Sequence, residues 1–133
     1  MNKDRVFCRI RKKYIVNTEE EEVRQNLISY LIENKSYPLS LFSVEGQIRV
    51  NNLIKRYDIL VYRRDFTPFM LIECKAPHIP INQNVIDQIS IYSHSIKAKY
   101  FIVTNGKETY CLSRNEEELN YRLEKEIPDF DSN

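Results

Sequence analysis

The residues best suited to chemistry stand at the ends of two neighbouring apolar segments. Asp58 opens the first segment, and Glu73-Cys74-Lys75 closes the second. Successive side chains of a strand point to opposite faces, so Glu73 and Lys75 share one face while Cys74 points to the other. Because an unpaired buried charge is costly, such groups on an apolar strand are expected to be paired, metal-bound or directed into a cleft.

The polar stretch between the two segments predicts a β-hairpin. Residues 57–62 and 69–74 are rich in β-forming side chains, and Arg63 to Pro68 interrupts them. Pro68 lacks an N–H group and does not suit the interior of a central strand. The hairpin would bring Asp58 and Glu73 together at its open end.

Converging carboxylates of this kind predict a metal site. Two carboxylates repel each other unless a cation lies between them, and hard oxygen ligands suit Mg²⁺, with Mn²⁺ as a substitute. The backbone carbonyl of Cys74 would add another oxygen, and Glu20, on a helix packing nearby, would complete the metal shell. Lys75 would position or deprotonate a metal-bound water, or neutralise charge developing on a phosphate. Acid, acid and lysine around one metal suit the hydrolysis of a phosphodiester.

Less specific interpretations compete with this one. Glu-x-Lys alone carries little information, since it recurs at Glu33-Asn34-Lys35, where no function is assigned. The residues from Glu19 to Glu22 also suit a solvated helix start, with Arg24 pairing with Glu20 at the i+4 position. In an unrelated metal-free α/β domain, Glu73 and Lys75 would be a surface ion pair, but such a pair contributes little stability.

Hydrophobic periodicity predicts the elements that position these residues. A helix is expected from Thr18 to about Asn34, with Thr18 and Glu21 as a capping box and with an inward stripe formed by Val23, Leu27, Ile28 and Leu31. Asn82 or Asn84 would cap a second helix that ends near Ser95. Short strands are expected at residues 39–44, 47–50, 100–103 and 109–112, with a tight turn at Asn105-Gly106. Residues 115–126 are weakly helical in pattern, and 127–130 are expected to fold back.

The expected fold is a mixed α/β single domain over residues 1–133. Its first 17 residues form a basic extended segment with six cations against one acid, 6 − 1 = +5. Residues 114–133 form an acidic tail. The cations suit either a solvated strand edge or an arm that faces phosphates. The solvated edge is the preferred interpretation, because the sequence does not place this segment beside the hairpin.

Composition sets limits on function. The net charge is only +1, so bulk charge does not indicate a nucleic-acid binder. No apolar run reaches the length of a membrane span, and no signal peptide follows the basic N-terminus. Three widely spaced cysteines and two histidines support neither a disulfide framework nor a structural zinc site. A cytoplasmic protein is expected.

Taken together, the motifs resemble the PD-(D/E)XK nuclease superfamily, in the branch with Gln-x-x-x-Tyr on the helix after the lysine. The motifs are Asp58, Glu73-Cys74-Lys75 and Gln88-x-x-x-Tyr92. More closely, the chain is similar to the N-terminal nuclease domain of type I restriction enzyme R subunits. Similar stretches run along nearly the whole chain: Arg11 to Tyr14, Thr18 to Gln25, Lys55 to Asp58, Leu71 to Pro77, Gln88 to Tyr92 and Val103 to Gly106.

The resemblance implies a restriction-endonuclease-like core of helix, three-stranded meander, helix and strand, here with an extra strand in a mixed central sheet. It implies a catalytic set: Asp58, Glu73, Lys75 and Gln88. It implies Glu20 as the acid of the first helix, with Glu21 one residue away in register, and the metal ligands Glu20, Asp58, Glu73 and the Cys74 carbonyl. The expected nucleic-acid contacts are Gln88, Tyr92, Arg24 and Arg56. Tyr57 replaces the proline that opens the family's metal-binding motif.

A larger departure concerns the motor. Type I R subunits couple the nuclease to an ATP-driven motor, yet Gly106-Lys107 lacks the other residues of a P-loop. The function predicted is therefore a Mg²⁺-dependent DNA endonuclease module without the motor. Its expected partners are DNA and either a second copy of the chain or separate restriction–modification subunits, with no membrane. The alternative is a non-catalytic DNA- or protein-binding module that retains the fold.

Overall fold

The structure is a computed structural model that describes residues 4–115 and 120–130. The strand predicted at residues 39–44 is formed only from Phe42 onward, because Leu39–Leu41 forms a short 3-10 helix. Besides this turn of helix, two α-helices and ten strands follow one another within the described residues. They are β1 (Arg5–Cys8), β2 (Lys13–Val16), α1 (Glu19–Asn34), β3 (Phe42–Val44), β4 (Gln47–Val50), β5 (Leu53–Arg56), β6 (Ile59–Tyr62), β7 (Pro68–Cys74), α2 (Gln83–Ile96), β8 (Tyr100–Thr104), β9 (Thr109–Asn115) and β10 (Asn120–Glu124).

A six-stranded mixed sheet forms the centre of the fold. Its strand order is β10-β9-β8-β7-β6-β3, and β7 and β8 are parallel while the other neighbours are antiparallel. The crossover between the parallel strands runs through α2, as parallel pairing requires. The predicted hairpin is confirmed as β6–β7, and the mixed α/β class with a mixed sheet is confirmed.

Helix α1 begins as its sequence predicts. The Thr18 side chain accepts a hydrogen bond from the Glu21 backbone N–H at 3.0 Å. The reciprocal half of the capping box is not formed, because the buried Glu21 carboxylate instead accepts hydrogen bonds from Arg11 and Gln25. The predicted apolar stripe is buried, with Val23, Leu27, Ile28 and Leu31 all in the core.

Alternation along the central strands divides the core between the two faces of the sheet. Ile59 and Ile72 pack in the cluster that contains the α1 stripe. Leu60 and Leu71, one residue along in each strand, pack with Ile89 of α2 on the other face. Helix α2 is capped by Asn82, whose side chain accepts from the Val85 N–H at 3.1 Å. Each helix therefore covers one face of the same sheet.

The turn after β8 is the predicted one. The Asn105 side chain accepts from the backbone N–H groups of Lys107 and Glu108 at 2.9 and 2.8 Å, and Gly106 has φ of 88°. A left-handed φ of this kind favours glycine.

The weak helical prediction for residues 115–126 is wrong where the structure describes them. Asn120–Glu124 forms β10 and pairs antiparallel with β9, and residues 116–119 lie outside the described residues. The Tyr121 ring packs edge-on against Phe101, with centroids 5.8 Å apart. Pairing and packing with the sheet thus override a weak local preference. The predicted fold-back of 127–130 is confirmed, because the Phe130 N–H donates to the Lys35 carbonyl.

Two short ribbons stand outside the main sheet. The basic N-terminal segment forms the antiparallel pair β1–β2, and β4–β5 forms a second pair after β3. Asn51 and Asn52 connect β4 to β5 with positive φ values of 50° and 67°, which suits a tight hairpin turn. No helix in the described part of the chain is long and apolar enough to cross a membrane.

Candidate active site at the open end of the central hairpin

The hairpin register brings Asp58 and Glu73 together. Ile59 is paired with Ile72 in the β6–β7 ladder, so the preceding residue Asp58 lies opposite the following residue Glu73. The Asp58 carboxylate is held in place through Oδ2, which accepts the Cys74 backbone N–H at 2.8 Å. The two acids therefore occupy neighbouring strands at the same end of the sheet.

Glu73 lies in an environment that opposes its negative charge. Burial and, after it, the negative charge of Asp58 raise the pKa of Glu73, the Lys75 ammonium acts in the opposite direction, and the resulting pKa is about 7. Lys75 Nζ is 3.5 Å from Glu73 Oε1, and about a third of each side chain is exposed. Strand alternation places these two charges on one face, while Cys74 between them is buried on the other.

Arg24 of α1 joins the acids of three elements. Its side chain is 3% exposed and lies 3.2 Å from Asp58 Oδ1, 2.8 Å from Glu45 Oε1 and 3.7 Å from Glu20 Oε1. It also pairs with the buried Glu21. The sequence assigned Arg24 to nucleic-acid binding, and the structure places its guanidinium among carboxylates.

Glu20 and Glu21 have different surroundings. Glu20 is 47% exposed on its side chain and borders the cleft beside Asp58. Glu21 is buried, and Arg11 Nη2 donates to it at 2.9 Å. Of the two, Glu20 is the acid with access to the cleft, which favours the register in which it is the first-helix acid.

Helix α2 places Tyr92 close to the acid pair and Gln88 at the surface. Burial raises the pKa of Tyr92 to about 12, with further contributions from the charges of Glu73 and Asp58. Its hydroxyl is buried without a hydrogen-bond partner among the described residues. The Lys55 ammonium lies 5.9 Å from the Tyr92 ring centroid. Gln88, one helical turn earlier, is exposed.

The acids open onto a polar cleft of about 350 Å³. Its walls come from α1, the β3–β4 turn, the end of β5 with Arg56, and the open end of the central hairpin. A larger groove of about 830 Å³ lies between α1 and the β8–β9 turn, and it is lined by none of Asp58, Glu73 and Lys75. The smaller cleft is therefore the one that contains the candidate chemistry.

Sequence reasoning missed Glu45, which interacts with two arginines at the rim of this cleft. Glu45 lies 2.8 Å from Arg24 and 3.6 Å from Arg11. The sequence predicts strands at residues 39–44 and 47–50 and assigns no role to Glu45-Gly46 between them. A signal was present in Gly46, because a Cβ there would collide with the Tyr57 ring, which is hydrogen-bonded to Ser43. A glycine beside an acid thus marked a close approach of two chain segments.

The carboxylates of Asp58 and Glu73 are the kind of ligands that suit a magnesium ion. Mg²⁺ is commonly bound by one or two carboxylates while it retains several waters. A divalent cation would relieve the repulsion between Asp58 and Glu73 that raises the pKa of Glu73. Within residues 4–115 and 120–130, no group of three or more His, Cys, Asp and Glu side chains is arranged around a common metal position. All four predicted metal ligands therefore remain predictions, namely Glu20, Asp58, Glu73 and the Cys74 carbonyl.

Comparison with known proteins assigns the chain to a family. A family model described as the type I restriction enzyme R protein N terminus matches residues 19–128. The chain belongs to this family. The matched region of this R protein N-terminal family includes both helices, the central hairpin and all the candidate metal ligands.

A solved structure supports the fold of this R protein N-terminal region. The fragment is assigned to an HsdR subunit of a type I restriction enzyme from Vibrio vulnificus YJ016, and it has a TM-score of 0.58 with 22% sequence identity. The match covers 84% of this chain and 24% of that fragment, so the chain spans about a quarter of its length. No curated protein matches the sequence. The expected relation to type I R proteins is confirmed.

Proposed function

We propose that this chain is a Mg²⁺-dependent DNA endonuclease module of the PD-(D/E)XK superfamily that hydrolyses phosphodiester bonds. The observation that carries the proposal is the meeting of Asp58 and Glu73 in one polar cleft, with the Lys75 ammonium 3.5 Å from Glu73. Two acids and a lysine from neighbouring strands supply a metal clamp and a charge stabiliser at the same place. Membership of the R protein N-terminal family supports DNA as the substrate.

The restriction-endonuclease core would be formed by α1, the meander of β3, β6 and β7, helix α2 and strand β8. These elements lie in the order that the core requires, and both helices pack on the sheet that carries the acids. The β4–β5 ribbon, β9 and β10 would be additions to the core. The similarity in fold to the HsdR fragment supports this assignment.

The proposed roles follow from the positions of the side chains. Asp58 and Glu73, with the Cys74 carbonyl and Glu20, would hold Mg²⁺, for which Mn²⁺ would substitute. When bound, the metal supplies Lewis-acid stabilisation of the phosphate and an activated water. The Lys75 ammonium, 3.5 Å from Glu73, neutralises charge developing on the phosphate.

Side chains outside the acid cluster would position the DNA. Arg56 borders the cleft and Gln88 is exposed on α2, so both can contact the phosphate backbone. Tyr92 would lie behind Gln88 on α2, close to Asp58 and Glu73. Arg24 orients Asp58 through its hydrogen bond, which makes it a positioning residue in this proposal.

A non-catalytic module with the same fold is the second candidate. Arg24 favours it, because its guanidinium already supplies positive charge to Asp58 and Glu20. An arginine in that position can satisfy the acids without a metal. Metal affinity separates the two candidates: only the nuclease requires a divalent cation at Asp58 and Glu73.

DNA cleavage tests the proposal directly. The purified chain is expected to nick supercoiled DNA with Mg²⁺ or Mn²⁺ and to be inactive in EDTA. Lys75→Ala should lower the rate by about 10²-fold or more, since one lost electrostatic stabiliser costs about that much. Lys107→Ala, which removes an exposed lysine from the larger groove, should leave the rate unchanged.

Two results would contradict the nuclease. Nicking that persists at the full rate in Lys75→Ala would assign the activity to a contaminant. Calorimetry that detects no Mn²⁺ binding to the folded chain would favour the non-catalytic module. The proposal includes partners. A second copy of the chain would supply a second active site, and separate restriction–modification subunits would supply the translocation that the motor performs.

A further inference from the structure

The two ribbons outside the main sheet are anchored at the same point on the cleft rim. Arg11, in the turn between β1 and β2, lies 3.6 Å from Glu45 and 2.9 Å from Glu21. Glu45 lies two residues before the second ribbon, and its backbone N–H donates to the Asp58 carbonyl at 2.8 Å. The basic N-terminal segment is therefore beside the hairpin, which the sequence alone did not show.

One face of the β4–β5 ribbon continues outward from the cleft. Ile48 packs towards α2 and its register partner Lys55 lies over the Tyr92 ring, so these residues mark the inner face. The opposite face carries two register pairs: Gln47 with Arg56, and Arg49 with Ile54. Gln47 and Arg56 border the cleft, and the second pair lies one step further out.

That outer face is polar, cationic and solvent-exposed at both pairs. Arg49 and Arg56 are exposed, and Ile54, the register partner of Arg49, is 55% exposed. Within the described residues, no other element covers this face of the ribbon, so Arg49, Ile54 and Arg56 are available to a binding partner. A two-stranded ribbon has the dimensions to enter the major groove of DNA.

The β1–β2 ribbon exposes cations and aromatic rings together. Phe7 and Tyr14 face each other in register, with ring centroids 5.2 Å apart and exposed fractions of 45% and 65%. Lys12 and Lys13, at the turn and the start of β2, are exposed. Exposed lysines at the tip of a ribbon suit contacts to backbone phosphates.

Within the described part of the chain, four cations on the two ribbons are unpaired, in contrast to the arginines that contact carboxylates nearby. Arg9, Arg11 and Arg24 each contact a carboxylate. By contrast, four exposed cations have no carboxylate within ion-pair distance anywhere in the described ranges of the chain, namely Lys12, Lys13, Arg49 and Arg56. Unpaired cations on both ribbons offset the acids of the cleft and suit a polyanion lying across it.

We propose that the two ribbons hold duplex DNA across the cleft. The β4–β5 ribbon lies in a groove with Arg49 and Ile54 towards the bases, and Lys12 and Lys13 of the β1–β2 ribbon contact backbone phosphates. This inference takes its ligand from the proposed function, and it adds a binding surface outside the acid cluster. It also replaces the solvated edge with the phosphate-facing arm as the interpretation of the N-terminal cations.

Fluorescence anisotropy with a labelled DNA duplex in EDTA tests this surface, because no cleavage occurs without metal. The full chain is compared with Lys12→Gln/Lys13→Gln and with Arg49→Gln/Arg56→Gln over a range of salt concentrations. Each double variant should bind roughly tenfold more weakly at 0.1 M salt. The magnitude of the slope of log K against log salt should fall by about 0.9 per lost phosphate contact, which is about 1.8 for Lys12→Gln/Lys13→Gln and about 0.9 for Arg49→Gln/Arg56→Gln, where Arg56 is the phosphate contact.

Lys107→Gln/Lys125→Gln is the matched control, since it removes two exposed cations from the larger groove. It should keep the affinity and salt slope of the unmodified chain, and circular dichroism should show every variant to be folded. Ribbon variants that bind like the unmodified chain, a control that loses as much affinity, or no DNA binding at all would overturn the proposal. A chain that binds through the ribbons but never cleaves would remove the nuclease activity and leave the ribbon surface in place.

Discussion

At the scale of single residues, the candidate site is held in an electrostatically unfavourable arrangement. Asp58 and Glu73 face each other, and burial together with their repulsion keeps the pKa of Glu73 well above that of a free glutamate. Sites that bind cations commonly keep such charges at a cost in stability. The position of Lys75 reduces this cost only in part, because the pKa of Glu73 remains raised.

This arrangement predicts a pH-dependent gain in stability for Glu73→Gln in metal-free solution. A pKa of about 7 in the folded state against 4.5 for the free group means that the folded chain binds the proton more tightly. The stabilisation from that proton is complete below about pH 4.5 and is lost as the pH rises through 7. Glu73→Gln should therefore melt at a higher temperature than the unmodified chain at pH 8 in EDTA, and the difference should shrink towards pH 5.

Thermal melts at several pH values measure this difference. Glu33→Gln, which alters an exposed acid on α1, should show no comparable trend. A Glu73→Gln variant that melts below the unmodified chain at pH 8 would contradict the strain assigned to the acid pair.

At the scale of elements, Arg24 connects α1 to the β3–β4 turn and to the central hairpin. Its contacts reach Glu45 and Asp58, which are 21 and 34 residues away in sequence. Sequence patterns predicted each of these elements, because apolar periodicity and caps are local signals. They did not predict Glu45 as a partner of Arg24. That contact depends on the left-handed backbone of Glu45 itself, with φ of 51°, and on packing between distant segments.

Arg24→Met is expected to destabilise the fold strongly. It would leave the buried Glu21 without one of its cations and remove the tie to Asp58, and losing one partner of a buried pair costs about 3–5 kcal/mol. Arg9→Met is the control: Arg9 is 40% exposed and 3.8 Å from Glu33, so its loss should cost at most about 1 kcal/mol. Urea unfolding measures both values, and equal losses would show that Arg24 is not the link between these elements.

At the scale of the whole molecule, two helices on opposite faces of one sheet contribute residues to the site. Helix α1 brings Glu20 and Arg24 on one face, α2 brings Tyr92 and Gln88 on the other, and the acids lie at the strand ends between them. The order of helices and central strands could be predicted from the sequence. The pairing of β10 with β9 could not, because residues 120–124 gain their strand partner only through the assembled sheet.

The central claim is that Asp58 and Glu73 bind a divalent cation. A crystal of the chain soaked in Mn²⁺, with diffraction recorded at a wavelength where manganese scatters anomalously, tests it most directly. We expect an anomalous peak within coordination distance of both carboxylates, and no peak there in Asp58→Asn crystals. A soaked crystal with no peak between the two acids would contradict the account.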